Sequence, residues 1–283
     1  MVMWYAMRRK RKSLSILLCR LRKSYPFTRS RLQTFFLLFV CSMPPVFAIM
    51  GKIRLAQKGA DKIPEFQDSY LLIALYRVKA WLQIIMYPTW INLIVLLYCL
   101  LCQTISKRII LLTSDIEKCS PHEFTVLVQS EMARHELKIN QSVQLLQTVF
   151  SVPSFFIACS HFCTCITAVG AYIQHESFKL EFIMLVQMAF MFVNACGGLL
   201  SCLWTAGGLP IEAAKLKEAY RRKLQQKKIL DGKAGKEVCF EKQLVEISTY
   251  ALSGCNIISF YRSSILAFAG TILTYAILLI NKQ

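Results

Sequence analysis

Residues 143–172 read VQLLQTVFSVPSFFIACSHFCTCITAVGAY. The run holds no Asp, Glu, Lys or Arg. About 20 apolar residues in a helix suffice to cross a hydrocarbon core of about 30 Å. The run is therefore read as a membrane span, and its extra length requires tilt or projection beyond the bilayer. Its apolar stripe begins earlier. Ser120-Pro121-His122-Glu123 has the form of a helix start, with Ser as N-cap, Pro in the first position and Glu reaching back. From there Phe124, Leu127/Val128, Met132, Ile139, Val143, Leu146 and Phe150 recur three or four residues apart, with one longer gap at His135. The pattern predicts one long helix that stands in a polar loop and runs unbroken into the span.

Outward from this stretch, four others are long enough to cross: about 32–50, kinked by Pro44-Pro45, and about 84–105, 180–209 and 257–280. The stretch 69–83 is apolar but carries Arg77 and Lys79, which makes it a poor sixth span. With 55% hydrophobic residues and a mean hydropathy of +0.44, the chain is more apolar than an ordinary soluble domain. The expected fold class is all-α, a polytopic helical membrane protein with about five transmembrane helices and cytoplasmic helical extensions. The domain reading is a basic cytoplasmic segment at 1–31 followed by a transmembrane bundle at 32–283, with cytoplasmic helical loops at 106–142 and 210–256.

The formal charge of +18 admits nucleic-acid binding or a membrane protein with basic cytoplasmic segments. Placement decides between them, because long apolar runs separate the basic clusters. Segments 1–31, 106–142 and 210–256 carry 25 of the 34 Lys and Arg, whereas 51–83, 173–179 and 281–283 carry eight. The expectation is a cytoplasmic N-terminus and an extracellular C-terminus in the plasma membrane, with lipids as partners and no nucleic acid. The run Arg8-Arg9-Lys10-Arg11-Lys12 suits anionic headgroups.

Segment 210–256 shows a stripe at Leu216, Tyr220 and Leu224, a break at Asp231-Gly232-Lys233-Ala234-Gly235, and a second expected helix through Val238, Leu244/Val245 and Ala251/Leu252 that ends at Ser253-Gly254. None of the twelve cysteines falls in an expected external loop, so no disulfide is expected. Asn140-Gln141-Ser142 matches a glycosylation acceptor but is placed in the cytoplasm. His161, Cys163 and Cys165 do not suggest a metal site, because on a helix 161 and 165 share a face and 163 does not. Glu131, Arg134 and Glu136 are read as the solvated side of the long helix, and His135 as a satisfied interface histidine. Glu181 and Arg262 are read as snorkelling at span ends. With no phosphate-binding loop and no His-Glu-x-x-His, the expectation is no enzyme and no cofactor.

The chain ends GTILTYAILLINKQ, residues 270–283. Ser263/Ser264, Ala267, Gly270/Thr271 and Thr274 recur at helical spacing as a small, partly polar face, which Leu278 and Asn281/Lys282 continue. Thr274-Tyr275, five apolar residues, then Asn281 resembles the C-terminal signature of arthropod gustatory receptors, within the wider superfamily of insect-type chemoreceptors. Phe260-Tyr261-Arg262-Ser263-Ser264-Ile265-Leu266 before it is similar too. The resemblance covers the C-terminal half to two-thirds. It implies a homo- or hetero-tetrameric, ligand-gated, poorly selective cation channel for a small-molecule tastant or odorant, its last span lining the pore. Pore positions would be Leu278 and Asn281, with Lys282 at the outer mouth, and Thr274 and Tyr275 would lock the helix in place. The family has seven spans, so the first two would be missing here, as in an incomplete gene model or a truncated paralogue. Asn281 stands where the family has Gln and Lys282 where it has an apolar residue, and a ring of lysines disfavours cations. The competing reading is a non-channel helical membrane scaffold or accessory subunit.

Overall fold

The computed structural model describes residues 2–24, 89–173, 182–230 and 250–281, with isolated positions at 46, 49, 75 and 78. The expected span at 32–50, the segment 231–249 and Lys282 lie outside the described residues. In chain order the elements are α1 (Val2–Arg9), α2 (Arg11–Ser24), α3 (Trp90–Lys118), α4 (Val126–Ile173), α5 (Phe182–Ala206), α6 (Gly208–Leu230), β1 (Ser253–Gly254), β2 (Ile258–Ser259) and α7 (Ser264–Ile280). The fold is all-α apart from the short β1–β2 hairpin. Among the described residues, three helical stretches are long and apolar enough to cross a membrane: α3, α4, and the α5–α6 stretch from Met184 to Leu230. The protein is a multi-pass helical membrane protein.

α4 is the continuous helix expected from the sequence, 48 residues or about 72 Å long. Ile139, Val143, Leu146 and Phe150 of its stripe are all buried. Its start differs from expectation. Ser120 and Glu123 do make the reciprocal cap, each backbone N–H donating to the other's side-chain oxygen at 3.3 Å. That cap closes a single turn, and α4 begins at Val126 after Thr125, whose hydroxyl accepts the Val128 N–H at 3.5 Å. The turn delivers Phe124, fully buried, edge-on to Tyr220 at 5.4 Å. Leu127 is 80% exposed, and the buried line passes instead through Gln129. The Gln129 amide donates to Phe124 O at 3.2 Å and accepts from the Tyr220 hydroxyl at 3.5 Å.

The chain divides into two compact units. The first comprises residues 1–26, 98–156 and 202–266. Its core holds Leu17, Leu21, Ile105, Ile109, Leu146 and Phe150, with Tyr98 and Phe150 rings 5.3 Å apart. α6 contributes Ala213, Leu216, Ala219 and Tyr220; Leu216 and Tyr220 belong to the stripe read from the sequence, whose third member, Leu224, is half-buried. The buried Lys223 ammonium donates to Glu117 O, a terminal carbonyl of α3. His135 is exposed rather than an interface histidine, and the neighbouring Glu136 is half-buried instead. Burial pushes the Glu136 carboxyl up from 4.5 to about 7. Burial and then the Glu136 charge push the Tyr220 hydroxyl up to about 12.

The second unit comprises residues 27–97, 157–201 and 267–283. Its described core includes Ile91, Val95, Ile157, Cys165, Ala195 and Leu199. Two buried amides pair across it, Asn92 Nδ2 donating to Asn194 Oδ1 at 2.8 Å. His161 is buried against Gly198, where an added Cβ would lie 2.7 Å from His161 Nε2. Cys165 Sγ lies 3.4 Å from Cys196 Sγ, while Cys163 is exposed on another face, as helical spacing requires.

Candidate functional site: the last helix and its root

The segment entering α7 is built differently from the expected helix-then-span. Ala251 and Leu252 are not helical, and residues 253–259 form an antiparallel hairpin pairing Ser253 with Ser259 and Gly254 with Ile258. Cys255 and Asn256 take φ of 52° and 57°, and the Ile257 N–H donates to Gly254 O at 2.9 Å. That is a type I′ turn, which needs two left-handed residues and twists with the strands. The expected span at 257–280 is therefore a shorter helix of 17 residues from Ser264. Its length of about 26 Å is slightly under a hydrocarbon core.

In the first unit, α4 receives the hairpin through directional bonds. The Gln147 amide brackets Ser253, accepting its N–H at 3.0 Å and donating to its carbonyl at 2.8 Å and hydroxyl at 2.7 Å. The Cys255 N–H donates to Ser151, with O and Oγ both at 3.0 Å. At Gly254 an added Cβ would stand 3.0 Å from Phe155 Cα, so a side chain there would have to push Phe155 back by a few tenths of an ångström. On the other flank the α5–α6 break at Gly207 packs directly on residues 261–262. An added Cβ at Gly207 would lie 2.6 Å from Arg262 N and 2.9 Å from Tyr261 C. This contact sets the Arg262 guanidinium over the Trp204 ring, 4.2 Å from its centroid, a cation–π stack in place of simple snorkelling. Arg262 Nε is buried without a hydrogen-bond partner among the described residues. A cleft of about 910 Å³ opens beside it, lined by Ile110, Glu117, Pro210, Glu212, Arg222 and Tyr261 among others.

In the second unit, α7 touches α4 along one edge. Phe268 meets Phe162 edge-on at 5.2 Å, and Tyr275 and Leu279 lie over Gly170, whose missing Cβ leaves 3.3 Å to the Tyr275 hydroxyl. No α7 residue is buried. Ala267, Gly270, Thr271, Thr274, Leu278 and Asn281, at helical spacing, are all exposed. Leu266 is 76% and Leu278 63% exposed. Nothing lies within 4 Å of a Cβ placed at Gly270. The Thr271 and Thr274 hydroxyls both donate to carbonyls of their own helix, those of Ala267 and Gly270, at 2.9 Å.

The residues singled out from the C-terminal pattern thus separate. Leu278 and Asn281 share the open face with Thr274. Tyr275 seats the helix on α4. Thr274 takes no part in that seating, because its side chain points away and bonds only its own backbone. The hairpin and the Gly207 contact are absent from the sequence reading. The Gly207-Gly208-Leu209-Pro210 cluster was the available signal for the break between α5 and α6.

No protein-family model matches the chain. No characterised protein matches it by sequence similarity either. Among solved structures, the fold is that of insect olfactory receptors. The insect olfactory receptor OR5 from Machilis hrabei superposes with a TM-score of 0.69 at 16% identity, covering 100% of this chain and 78% of that one. The same receptor in complex with eugenol gives 0.66 at 17% identity, covering 96% and 75%.

Proposed function

We propose that this chain is a subunit of a chemoreceptor channel of the gustatory kind, tetrameric, ligand-gated and poorly selective among cations, with α7 lining a central pore. The observation that carries the proposal is the open face of α7. A membrane helix of 17 residues with no buried position, one edge seated on α4 and a small, partly polar face turned away, suits packing around an axis with copies of itself. The fold shared with insect olfactory receptors supports the class, and the Thr274-Tyr275…Asn281 tail supports the gustatory branch. The eugenol complex of the olfactory receptor supports a small organic ligand. The role is non-enzymatic. The basic segments face the cytoplasm and the C-terminus faces outward at the plasma membrane.

In this arrangement Leu278 narrows the outer pore and Asn281 offers it an amide. Lys282 stands at the mouth, where four ammonium groups repel cations and hold conductance low. The test is cysteine accessibility in expressing cells. A membrane-impermeant thiol reagent applied outside is expected to modify Leu278→Cys and Asn281→Cys and change the current; no modification at either position would sink the pore assignment. Lys282→Phe is expected to raise the current.

A further inference from the structure

We propose that the run Arg8–Lys12, where α1 meets α2, is a docking surface for anionic lipid headgroups of the inner leaflet. The inference rests on the orientation proposed above and adds the chemistry of the surface and its depth.

The composition is one-sided. Residues 1–60 contain no Asp or Glu, so the segment carries five consecutive cations and no acidic side chain of its own. Arg8, Arg9, Arg11 and Lys12 are exposed, and Tyr5, 66% exposed, stands beside them. Tyr5, Arg8, Arg9 and Arg11 line a surface hollow of about 330 Å³. Clustered Lys and Arg at a membrane surface attract acidic lipids by about 1 kcal/mol each.

α4 serves as the ruler for depth. The α2 helix lies along it, held at two levels. Arg20 Nη1 donates to Gln141 Oε1 at 3.0 Å, and the Lys10 ammonium donates to Thr148 O. Leu17 and Leu21 are buried on the inner side, and Arg108 closes the end of α2 by donating to Arg20 O and Leu21 O at 3.1 Å. Gln141 and Thr148 are seven residues apart, about 10 Å along the helix. The uncharged run 143–172 is about 45 Å long, which matches a bilayer core with both headgroup layers. Thr148 therefore lies about 7.5 Å inside that run, at the level of the inner headgroups. Lys10 is thus tied to the protein at headgroup depth, and its four exposed neighbours are held at the same depth.

The test uses the purified full chain in detergent, with native mass spectrometry of bound lipid. Phosphatidylserine is expected to be retained over phosphatidylcholine at equal concentration, and retention is expected to fall when ionic strength is raised. Replacing Arg8, Arg9, Arg11 and Lys12 with Gln, while keeping the Lys10 tie, is expected to lower phosphatidylserine retention on the order of a thousandfold. Changing Arg8, Arg9 and Arg11 to Lys should restore it. Equal retention of the two lipids by the unaltered chain, or no salt dependence, would overturn the docking surface without any variant. So would undiminished retention in the Gln variant. Displacement of the lipid by an equal concentration of inorganic phosphate would overturn a lipid surface in favour of a free-anion site. Orientation is read separately on Cys19, exposed on α2. An impermeant maleimide should label it, relative to Cys19→Ser, only after cells are permeabilised. Labelling in intact cells would overturn the orientation and with it the inner-leaflet assignment, whatever the lipid result.

Discussion

The root of α7 and its free length are held in opposite ways. Residues 250–263 are fixed by directional bonds to Gln147 and Ser151 and by two close backbone contacts, one at Gly207 that admits no Cβ without a shift and a tight one at Gly254. Residues 264–280 are held along one edge by ring and aliphatic contact, and the other side is exposed. The root has one geometry that the single chain over-determines. The free length is seated on one edge only, and its small, partly polar face is exposed.

That contrast can be broken from either side. The largest effect is expected at the root. Gly207→Ala forces a Cβ against the Arg262 backbone and should destabilise the protein by about 3 kcal/mol, seen as a lower melting temperature of the detergent-solubilised chain. An unchanged melting temperature would show that the contact is loose. Gln147→Ala removes three hydrogen bonds to Ser253 and should cost about 2 kcal/mol in the same assay.

A smaller effect, tied to pH, is expected at Glu136. Its carboxyl is raised in the folded state from 4.5 to about 7, so the folded protein binds this proton more tightly than the unfolded chain. The proton's contribution to stability is fully present below pH 4.5 and is lost as pH rises towards 7. The melting temperature should therefore fall across that window, and Glu136→Gln should flatten the slope. The smallest effect is expected on the free face. Gly270→Ala meets nothing within 4 Å and should stabilise the isolated chain by up to about 1 kcal/mol through helix propensity. If that face packs against copies, the same change should weaken the oligomer by size-exclusion chromatography while the monomer gains. Weakening of both would mean that α7 is already fully packed in the single chain.

Legibility in the sequence followed the range of the interactions. α4 was readable because helix periodicity is local, and Ile139, Val143, Leu146 and Phe150 carry it without a gap. The open face of α7 was readable for the same reason. The start of α4 was misplaced because the Ser120–Glu123 cap is real but caps a lone turn that exists to insert Phe124. The hairpin was unreadable. Cys255-Asn256 is not the usual pair for a type I′ turn, and the bonds that hold it come from Gln147 and Ser151, more than 100 residues away. Leu127 was misassigned because the neighbouring buried position is the polar Gln129, acceptable in a core only because both ends of its amide are satisfied.

Pro153 sits two residues beyond the Ser151 bond to the hairpin. Proline has no N–H to give Val149 O, so the long rod of α4 lacks one rung there. The missing rung falls where the strut leading to α7 is bolted on. A rod bends most easily at its missing rung, so any flexing of α4 is felt first at Ser151. From there it pulls on the foot of α7, whose far side is exposed.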